Sequence, residues 1–319
     1  MNYIDGMQSL ATEGLDRLFR GATSVAFVDF PDYANVGDSA IALGHLRYLD
    51  ERSINVKSIT AIGTLHRKRL NESDVVLING GGNIGGLYPL IDEHRHDVAD
   101  CVRSESMLIQ GPQSVSFVDK KIERDFTEKV LQRENTRIGA RDQGALRLLN
   151  GGRAEVHLVP DAAHLLGAIE CELPSQRVLV LAREDKEAKI SGSARFHGSV
   201  DWLRDDAAAR WMSRLRWRSS RFGSLGPLLN PTAERWERIA EGRLKRGIRI
   251  LERGEVVVTD RLHGMLLALQ MGRSVVCVDN NNGKLSRYAD AWFGANEPNV
   301  MFARDFESGV RLAMSGKVD

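Results

Sequence analysis

Short runs of apolar, mostly β-branched residues alternate with helical patterns along nearly the whole chain, and this alternation is what most limits the fold. Six such runs lie in the first half, at residues 25–30, 55–60, 74–79, 106–111, 136–141 and 156–161. Three more follow at residues 177–183, 255–260 and 274–279. Strands that are separated by helices usually pair in parallel, so the sequence predicts an α/β protein with mainly parallel sheets.

The two series of strands predict two Rossmann-like domains that face each other across a cleft. A chain of 319 residues exceeds the length at which one hydrophobic core usually keeps growing. We therefore expect an N-terminal domain over residues 1–168 and a C-terminal domain over residues 175–319, although one large α/β domain also fits. The last helix is expected either to stay with the C-terminal domain or to pack back on the N-terminal one.

Most of these strands end in a polar residue. Open parallel sheets bind their ligands beyond the carboxyl ends of the strands, so these residues are candidates for ligand contacts. We expect some of them to cap helices or to fix turns and the others to contact a ligand. The residues concerned are Asp29, Asn79, Gln110, Arg141, Asp161, Arg183, Asp260 and Asp279.

Composition narrows the function and the location. Lys and Arg total 44 against 43 for Asp and Glu, and this balance argues against binding nucleic acid through overall charge. The three cysteines have neither a disulfide pattern nor a metal-binding spacing, which indicates a reducing cytoplasm. Residues 1–21 have acidic residues among apolar ones, so they predict an amphipathic helix and not a signal peptide. No apolar run is long enough to cross a membrane.

Residues 184–231 break the alternation and are rich in tryptophan and arginine. One interpretation is a helix whose tryptophans pack inward while its arginines face water. The other is a basic aromatic surface that contacts a glycan or an anionic lipid head group, with the protein bound loosely to the inner face of the membrane. The residues concerned are Trp202, Trp211 and Trp217 with Arg204, Arg210, Arg214, Arg216, Arg218 and Arg221.

The segment Asn35-Val36-Gly37-Asp38 lies between the first strand and a helical run over residues 39–49. The glycine allows a tight turn from strand to helix, and the aspartate or the serine after it can cap the helix. A capped turn does not require Asn35. We therefore expect this segment to form a loop that contacts a sugar.

Residues 79–86 have the glycine-rich sequence NGGGNIGG, which contains the pattern GxGxxG. A dinucleotide site needs this turn to open a helix, and it needs an acid at the end of the next strand. Here Pro89 follows closely and the next strand ends in QGPQ at residues 110–113, so a nicotinamide cofactor is disfavoured. We expect the glycines to let a bulky ligand approach the backbone.

Two cationic motifs lie where strands turn into helices. In GARD, Arg141 ends a strand just before a helix over residues 143–149, where it either binds an anion or pairs with an acid as a structural bridge. In VVTDRLHG, Arg261 and His263 precede an apolar helix over residues 265–271. A guanidinium, an imidazole and free backbone N–H groups at one point predict an anion site.

These motifs, in this order and together with QGPQS at residues 110–114 and VPD at residues 159–161, resemble those of the polysaccharide pyruvyl transferase family. The resemblance spans about residues 25–292. It implies a fold similar to that of GT-B glycosyltransferases, with phosphoenolpyruvate bound in the cleft and no metal or organic cofactor. The implied reaction transfers pyruvate as a ketal to a lipid-linked or polymeric glycan acceptor, as in exopolysaccharide biosynthesis.

The resemblance also implies which residues form the site. Donor contacts fall on the RLH and ARD motifs and on an N-terminal histidine that the sequence leaves open, which gives Arg141, Arg261, Leu262, His263 and either His94 or His96. An imidazole transfers protons near neutral pH, so His263 is expected to act as an acid or to stabilise phosphate, with Asp38 as a base. On the acceptor side or in the loops we expect Asn35, Gly37, Gly81, Gly82, Asn83 and Gln113.

Two other functions would use the same fold. A GT-B glycosyltransferase would bind a nucleotide sugar, but the acid that would hold its ribose is missing late in the second half, since Glu297 lies past the last motif. A non-catalytic protein for glycan binding or assembly would be expected to lose the donor site. Arg141, Arg261 and His263 are all present, which favours catalysis.

Overall fold

Two parallel β-sheets organise the chain, as the alternation of strands and helices predicts. The structure is a computed structural model that describes residues 2–184, 198–219, 225–279, 283–294 and 299–316. The strands are β1 (Ser24–Val28), β2 (Asn55–Ile59), β3 (Val75–Ile78), β4 (Gly81–Ile84), β5 (Met107–Val115), β6 (Thr136–Ala140), β7 (Glu155–Leu158), β8 (Gln176–Leu181), β9 (Gly254–Thr259), β10 (Ser274–Val278) and β11 (Val300–Ala303). The α-helices are α1 (Tyr3–Leu18), α2 (Val36–Glu51), α3 (Pro89–Cys101), α4 (Lys120–Phe126), α5 (Gln143–Leu149), α6 (Ala207–Ser219), α7 (Leu225–Leu228), α8 (Ala233–Leu251), α9 (Leu262–Gln270), α10 (Lys284–Trp292) and α11 (Phe306–Met314).

All of the predicted strands are present, and the structure adds two that the sequence does not predict. One is β4, which lies inside the glycine-rich segment, where glycine is a signal for a turn. The other is β11, a short strand whose residues are mostly half-buried. In addition, β5 continues past the predicted end to Val115, through an irregular register between Gln110 and Gln113.

The predicted helices are also present, with differences at their starts. The side chain of Asn35 caps α2 by accepting a hydrogen bond of 3.1 Å from the backbone N–H of Gly37, so this helix begins before the predicted residue 39. For the same reason the capping role falls on Asn35 and not on Asp38 or Ser39. Helix α9 begins at Leu262, with Arg261 at its N-cap.

The first sheet has the strand order β2-β1-β3-β5-β6-β7, with β4 paired to β5, and every pairing is parallel. After β1 the chain places β2 on one side and then β3 on the other. The carboxyl ends of β1 and β3 therefore border the point at which the direction of winding changes, which is where open α/β sheets bind ligands. Asn35 lies in the loop after β1, Asp38 lies in the first turn of α2, and Gly82 lies in β4, which follows β3.

The second sheet has the order β11-β10-β9-β8 and is also entirely parallel. Helix α11 packs against all four of its strands, and Phe306 and Ala313 belong to the core on that face. The last helix thus packs on the second sheet, which corrects the alternative in which it packs back on the N-terminal half.

Helices α2 and α8 connect the two sheets. Phe27 of the first sheet shares a core with Trp236 and Ala240 of α8, although α8 follows the first strand of the second sheet. At the start of α2, Val36 packs in one core with Val257 and other residues of the second sheet. The start of α2 is consequently fixed between the two sheets.

The tryptophan- and arginine-rich stretch forms α6, with Trp202 buried just before it. The interpretation with tryptophans inward and arginines outward is wrong at two positions, because Trp211 is 62% exposed and Arg216 is buried. Arg221 lies outside the described residues. Among the helices that the structure describes, none is both long and apolar enough to cross a membrane.

Candidate active site

A cavity of about 350 Å³ lies where the carboxyl ends of strands from the two sheets approach each other. The first half of the chain contributes Tyr33, Asn35, Asp38, Gly82, Asn83, Tyr88, Ile91 and Arg141 to its wall. The second half contributes Arg183, Trp202, Leu203, Arg261, Leu262, His263 and Lys284. The cavity therefore brings together the four motifs that the sequence analysis selects.

Asp161 links the two cationic motifs. Its buried Oδ2 atom accepts a hydrogen bond of 2.5 Å from Nη1 of Arg141 and lies 3.2 Å from Nε2 of His263. Burial alone would raise the pKa of Asp161, but His263 and Arg141 oppose it, and the resulting pKa lies below the usual range of a carboxyl group. Asp161 is therefore a carboxylate at neutral pH that binds the guanidinium and the imidazole together.

Tyr288 of α10 supports Asp161 from behind. Its hydroxyl accepts a hydrogen bond of 3.0 Å from the backbone N–H of Asp161 and lies 2.8 Å from Nε2 of His164. Burial lowers the pKa of His164 to about 4, so this ring is neutral at pH 7, and it shares one hydrogen bond with the hydroxyl of Tyr288. No motif in the sequence indicates Tyr288.

Arg141 lies in the cavity wall after β6. Its Nε and Nη2 atoms lie 3.3 and 3.2 Å from the hydroxyl of Ser114, and its backbone oxygen accepts a hydrogen bond from Trp292. It pairs with Asp161, whereas Asp142 caps α5 through the backbone N–H of Ala145. Arg141 thus forms a structural bridge and lines the cavity at the same time, so the two alternatives from the sequence are not exclusive.

Arg261 lies on the other side of the cavity. Its Nη2 atom donates a hydrogen bond of 2.7 Å to Asp201, and both side chains are only 4% exposed. The guanidinium also stacks on Trp202, with its central carbon 5.7 Å from the ring centroid. These contacts fix the orientation of a planar fork at the start of α9, next to Leu262 and His263.

The ring of His263 is enclosed between Asp161 and the first turn of α2. A Cβ atom on Gly37 would lie 2.4 Å from Nδ1 of His263, so no larger residue fits at position 37 without displacing the ring. From the sequence, Gly37 is expected to form a tight turn and to belong to the acceptor loop. In the structure its main physical role is to let α2 approach the imidazole.

Asp38 lies in the cavity wall with two neighbours from the preceding loop. Its Oδ2 atom accepts hydrogen bonds of 2.9 Å from the hydroxyl of Tyr33 and 2.8 Å from the amide of Asn35. Burial and the charge of Asp38 raise the pKa of Tyr33 well above its usual value, which keeps the phenol protonated as a donor. The candidate base and the candidate sugar contact from the sequence therefore touch each other.

The glycine-rich loop lies against the cations of the cavity. A Cβ atom on Gly82 would lie 2.9 Å from Nζ of Lys284 and 3.1 Å from Nη2 of Arg141. Nζ of Lys284 donates a hydrogen bond of 3.0 Å to the backbone oxygen of Gly82. Gly81 has a positive φ of 142°, in the range that favours glycine. The loop thus lets two cationic groups approach its backbone.

The other loop candidates support this segment. Asn83 lines the cavity and its Oδ1 atom accepts a hydrogen bond of 2.7 Å from the buried Arg95. Gln113 does not line the cavity, but its side chain donates to the backbone oxygen of Asn79 at 3.1 Å and accepts from the backbone N–H of Asn83 at 3.4 Å. Gln113 therefore holds the backbone of the glycine-rich segment in place at Asn79 and Asn83.

The structure places neither His94 nor His96 in the cavity wall. Both lie in α3, where burial lowers the pKa of His94 to about 3, with Arg95 and Arg67 adding to the decrease. Burial also lowers the pKa of His96. Of the histidines that the sequence analysis considers, His263 is the one that the structure places in the described cavity wall.

Two further cations line the cavity, Lys284 and Arg183. Arg183 follows β8 and is one of the polar residues expected at strand ends from the sequence. Lys284 is the first residue of α10, the helix that follows β10. A search for polar residues at strand ends would have found it only if the search had also included the first residue of each following helix. Together with Arg141 and Arg261 these residues place four cationic side chains in the cavity wall.

The fold and this site define an α/β protein with a cationic cavity between two parallel sheets. The chain belongs to the polysaccharide pyruvyl transferase family, whose model matches residues 35–282. This match begins after β1 and contains the segment from Asn35 to Asp38, the glycine-rich segment and both cationic motifs. Membership of this family supports a transferase activity.

Two individual relatives also have names that include pyruvyl transferase. The chain is 28% identical over 284 residues to EpsO of Bacillus subtilis, whose name as a pyruvyl transferase is provisional, with 85% of each chain covered. It is 29% identical over 295 residues to pyruvyl transferase 1 of Schizosaccharomyces pombe, covering 86% of this chain and 71% of the relative. A crystal structure of an uncharacterized Klebsiella pneumoniae protein has a similar fold, with a TM-score of 0.60 at 16% identity over 94% of this chain and 99% of the other.

Proposed function

We propose that this protein transfers the pyruvyl group of phosphoenolpyruvate to a sugar as a ketal and releases phosphate. The observation that carries this proposal is the cluster of Arg141, Arg183, Arg261 and Lys284 with His263 around one cavity. Phosphoenolpyruvate has a phosphate and a carboxylate on a three-carbon frame. A donor with two anionic groups matches a wall with several cations better than a neutral ligand would.

The chemistry needs one proton transfer to the enol of the donor and the loss of one proton from each of two sugar hydroxyls. A proton adds to the methylene carbon, a sugar hydroxyl attacks the neighbouring carbon, and the hydroxyl loses its proton. Phosphate then leaves with the electron pair of the C–O bond that joined it to this carbon, and a second hydroxyl of the same sugar attacks that carbon, gives its proton to the departing phosphate and closes the ketal. We assign the acid to His263, because Asp161 fixes its ring beside the cations that bind the donor.

The deprotonation of the acceptor is assigned to Asp38. Its carboxylate lines the cavity and accepts hydrogen bonds from Tyr33 and Asn35, which orient it towards one side. The segment from Tyr33 to Asp38 and the segment from Asn83 to Ile91 then form the acceptor side, while Gly82 lies against Lys284 on the donor side. Phosphoenolpyruvate lies on the side of Arg261 and Lys284, and the acceptor is a lipid-linked or polymeric glycan.

The two parallel sheets support a proposal about the domain arrangement. In this proposal residues 1–168 and 175–319 are two Rossmann-like domains of a GT-B-like arrangement, with donor and acceptor bound in the cleft between them. The hydrogen bond from His263 to Asp161 would then join the two domains at the donor.

We place the protein in the cytoplasm, at the inner face of the membrane, where it would reach lipid-linked acceptors. The exposed face of α6 supports this location. Arg210, Arg214 and Arg218 are exposed at intervals of four residues, so they form one stripe, and Trp211 beside them is 62% exposed. A basic stripe with an aromatic side chain is suited to anionic head groups.

Donor binding is the first test. Phosphoenolpyruvate at about 100 times its dissociation constant should stabilise the protein by about 2.7 kcal/mol, whereas UDP and GDP sugars should not. Phosphate release should then require a glycan acceptor, for which a panel of aryl hexosides and lipid-linked glycan extracts is suitable. Stabilisation by nucleotide sugars without an effect of phosphoenolpyruvate would instead favour a glycosyltransferase.

A further inference from the structure

The loop that precedes α2 is bound by three arginines from the second half of the chain. Arg216 of α6 donates two hydrogen bonds to the carboxylate of Asp32, of 2.7 and 2.6 Å. Arg243 donates to the backbone oxygen of Pro31 at 2.7 Å, and Arg246 donates to that of Ala34 at 2.8 Å. A loop of a few residues thus receives four charge-assisted hydrogen bonds, each of them stronger than one between neutral groups.

The pair of Arg216 and Asp32 is nearly inaccessible to water. The side chains are 5% and 11% exposed, and the guanidinium stacks on Trp236 with its central carbon 5.1 Å from the ring centroid. Ser213 of α6 also donates a hydrogen bond to the backbone oxygen of Asp32. A bidentate pair in this environment fixes the loop in one geometry, because a shift would leave a buried charge unpaired.

The arginines themselves are fixed by contacts outside the cavity. Asp205 bonds Arg243 at 3.0 Å and Arg246 at 2.7 Å, so one buried carboxylate sets both side chains. On the other side of α6, a Cβ atom on Gly63 would lie 2.7 Å from the backbone oxygen of Arg216, which indicates close packing of the helix on the first half of the chain. The loop is therefore attached to a rigid support.

The same loop carries residues of the cavity wall. Tyr33 is next to Asp32, and both Tyr33 and Asn35 donate hydrogen bonds to Asp38. On the basis of the pyruvyl transfer proposed above, we infer that Asp32 and Arg216 are positioning residues for the acceptor side of the cavity. Through the loop they set the position of Tyr33, Asn35 and Asp38, and this is the function of the buried part of α6.

Asp32→Asn tests this role, with Asp201→Asn as its matched control. Each change replaces the carboxylate of a buried aspartate–arginine pair by an amide, one on the loop and the other at Arg261. We expect Asp32→Asn to raise the KM for an aryl hexoside acceptor by about tenfold or more and to change phosphoenolpyruvate affinity by less than about twofold, since misplaced groups affect the substrate they contact. Asp201→Asn should do the reverse.

Hydrogen exchange gives a readout that does not depend on catalysis. In Asp32→Asn, amides of residues 30–38 should exchange faster, while those of residues 259–266 should keep the wild-type rate. Arg216→Lys, which retains the charge but loses the bidentate geometry, should have a smaller effect of the same kind. This second variant covers the case in which Asp32→Asn does not fold.

The outcomes separate this inference from the proposed function. Wild-type protein that neither binds phosphoenolpyruvate nor releases phosphate would refute the function, whereas faster exchange limited to residues 30–38 would still support the positioning of the loop. Unchanged exchange and unchanged acceptor KM in the folded variants would overturn the inference. Equal losses of donor affinity and acceptor KM, without faster exchange limited to residues 30–38, would also overturn it, because they would indicate a general structural effect and not positioning of the acceptor side.

Discussion

Asp161 and His263 form a hydrogen bond across the two halves of the chain, with 3.2 Å between Oδ2 and Nε2. Asp161 follows β7 of the first sheet, and His263 lies in the first turn of α9 beside the second sheet. A buried carboxylate that bonds one ring nitrogen fixes the orientation of an imidazole. The relationship thus ties the chemistry at His263 to the way in which the two sheets approach each other.

Changing His263 to glutamine or alanine tests its role in proton transfer. Glutamine keeps a donor that can bond Asp161, but it cannot exchange a proton near neutral pH. If His263 is the acid, both variants should lose about 10²–10⁴-fold in turnover at saturating phosphoenolpyruvate. Donor affinity from calorimetry should change much less. Near-wild-type turnover in His263→Gln would assign the residue to phosphate binding alone.

Gly37→Ala should reduce turnover although alanine favours helices. The added methyl group would lie 2.4 Å from Nδ1 of His263, so either the ring or the start of α2 must move. A displacement of this size should cost about 10²-fold in turnover. The matched control is Gly242→Ala in α8, where nothing lies within 4 Å of the added atom. That variant should stay fully active and gain about 0.5–1 kcal/mol in unfolding free energy.

The positions of most strands and of the main motifs along the chain could be predicted from sequence because they depend on local patterns. Runs of β-branched residues mark buried parallel strands, and the rule on strand ends placed Arg141, Asp161 and Arg183 at the correct edge. Strand β4 was not predicted, because it lies in a run of glycines and glycine usually indicates a turn. In the structure these glycines let Lys284 reach the backbone oxygen of Gly82. A close approach to a distant side chain leaves no local signal.

The residues that hold the cavity wall in place could not be predicted from the sequence, for a similar reason. Tyr288, Asp32 and Arg216 act through partners more than a hundred residues away, and a single sequence does not contain these pairings. The composition of α6 drew attention to its arginines as a group. Only the structure separates Arg216, which is buried on Asp32, from exposed neighbours such as Arg214.

Arg261→Lys should weaken donor binding while the charge is kept. Lysine cannot reproduce the planar fork that bonds Asp201 and stacks on Trp202 at the same time. We expect a loss of about 1.5–3 kcal/mol in phosphoenolpyruvate affinity, measured by calorimetry. As a control, Arg177→Lys alters a partly exposed pair with Glu255 on the second sheet and should leave affinity unchanged. Affinity within about twofold of wild type for Arg261→Lys would remove this residue from the donor site.

Membrane association should depend on the exposed face of α6. Replacing Arg210, Arg214 and Arg218 together by glutamine should weaken binding to vesicles with anionic lipids by about 1 kcal/mol for each charge at low salt. The control replaces three exposed cations of α4, which are Lys120, Lys121 and Arg124. Cosedimentation measures both. Equal losses in the two variants, or binding that does not fall when salt rises about tenfold, would contradict a specific electrostatic contact through α6.

Asp29→Asn should make the protein more stable at alkaline pH. Asp29 ends β1 in a left-handed conformation with φ of 56°, and burial raises its pKa to about 7, against the attraction of Arg95 and with a further rise from Asp38. A carboxyl group whose pKa is raised on folding stabilises the folded state below its unfolded pKa of about 4 and loses this contribution as the pH rises towards 7.

The difference between Asp29→Asn and wild type should therefore be small at pH 4 and grow to at most about 4 kcal/mol at pH 8, as measured by urea unfolding. Asparagine tolerates the left-handed conformation about as well as aspartate does, so the change isolates the charge. Asp29→Gly, which also relieves the backbone, should add a gain that is the same at both pH values. If Asp29→Asn follows the wild-type pH dependence of stability instead, Asp29 is already charged at neutral pH and its burial is compensated by Arg95.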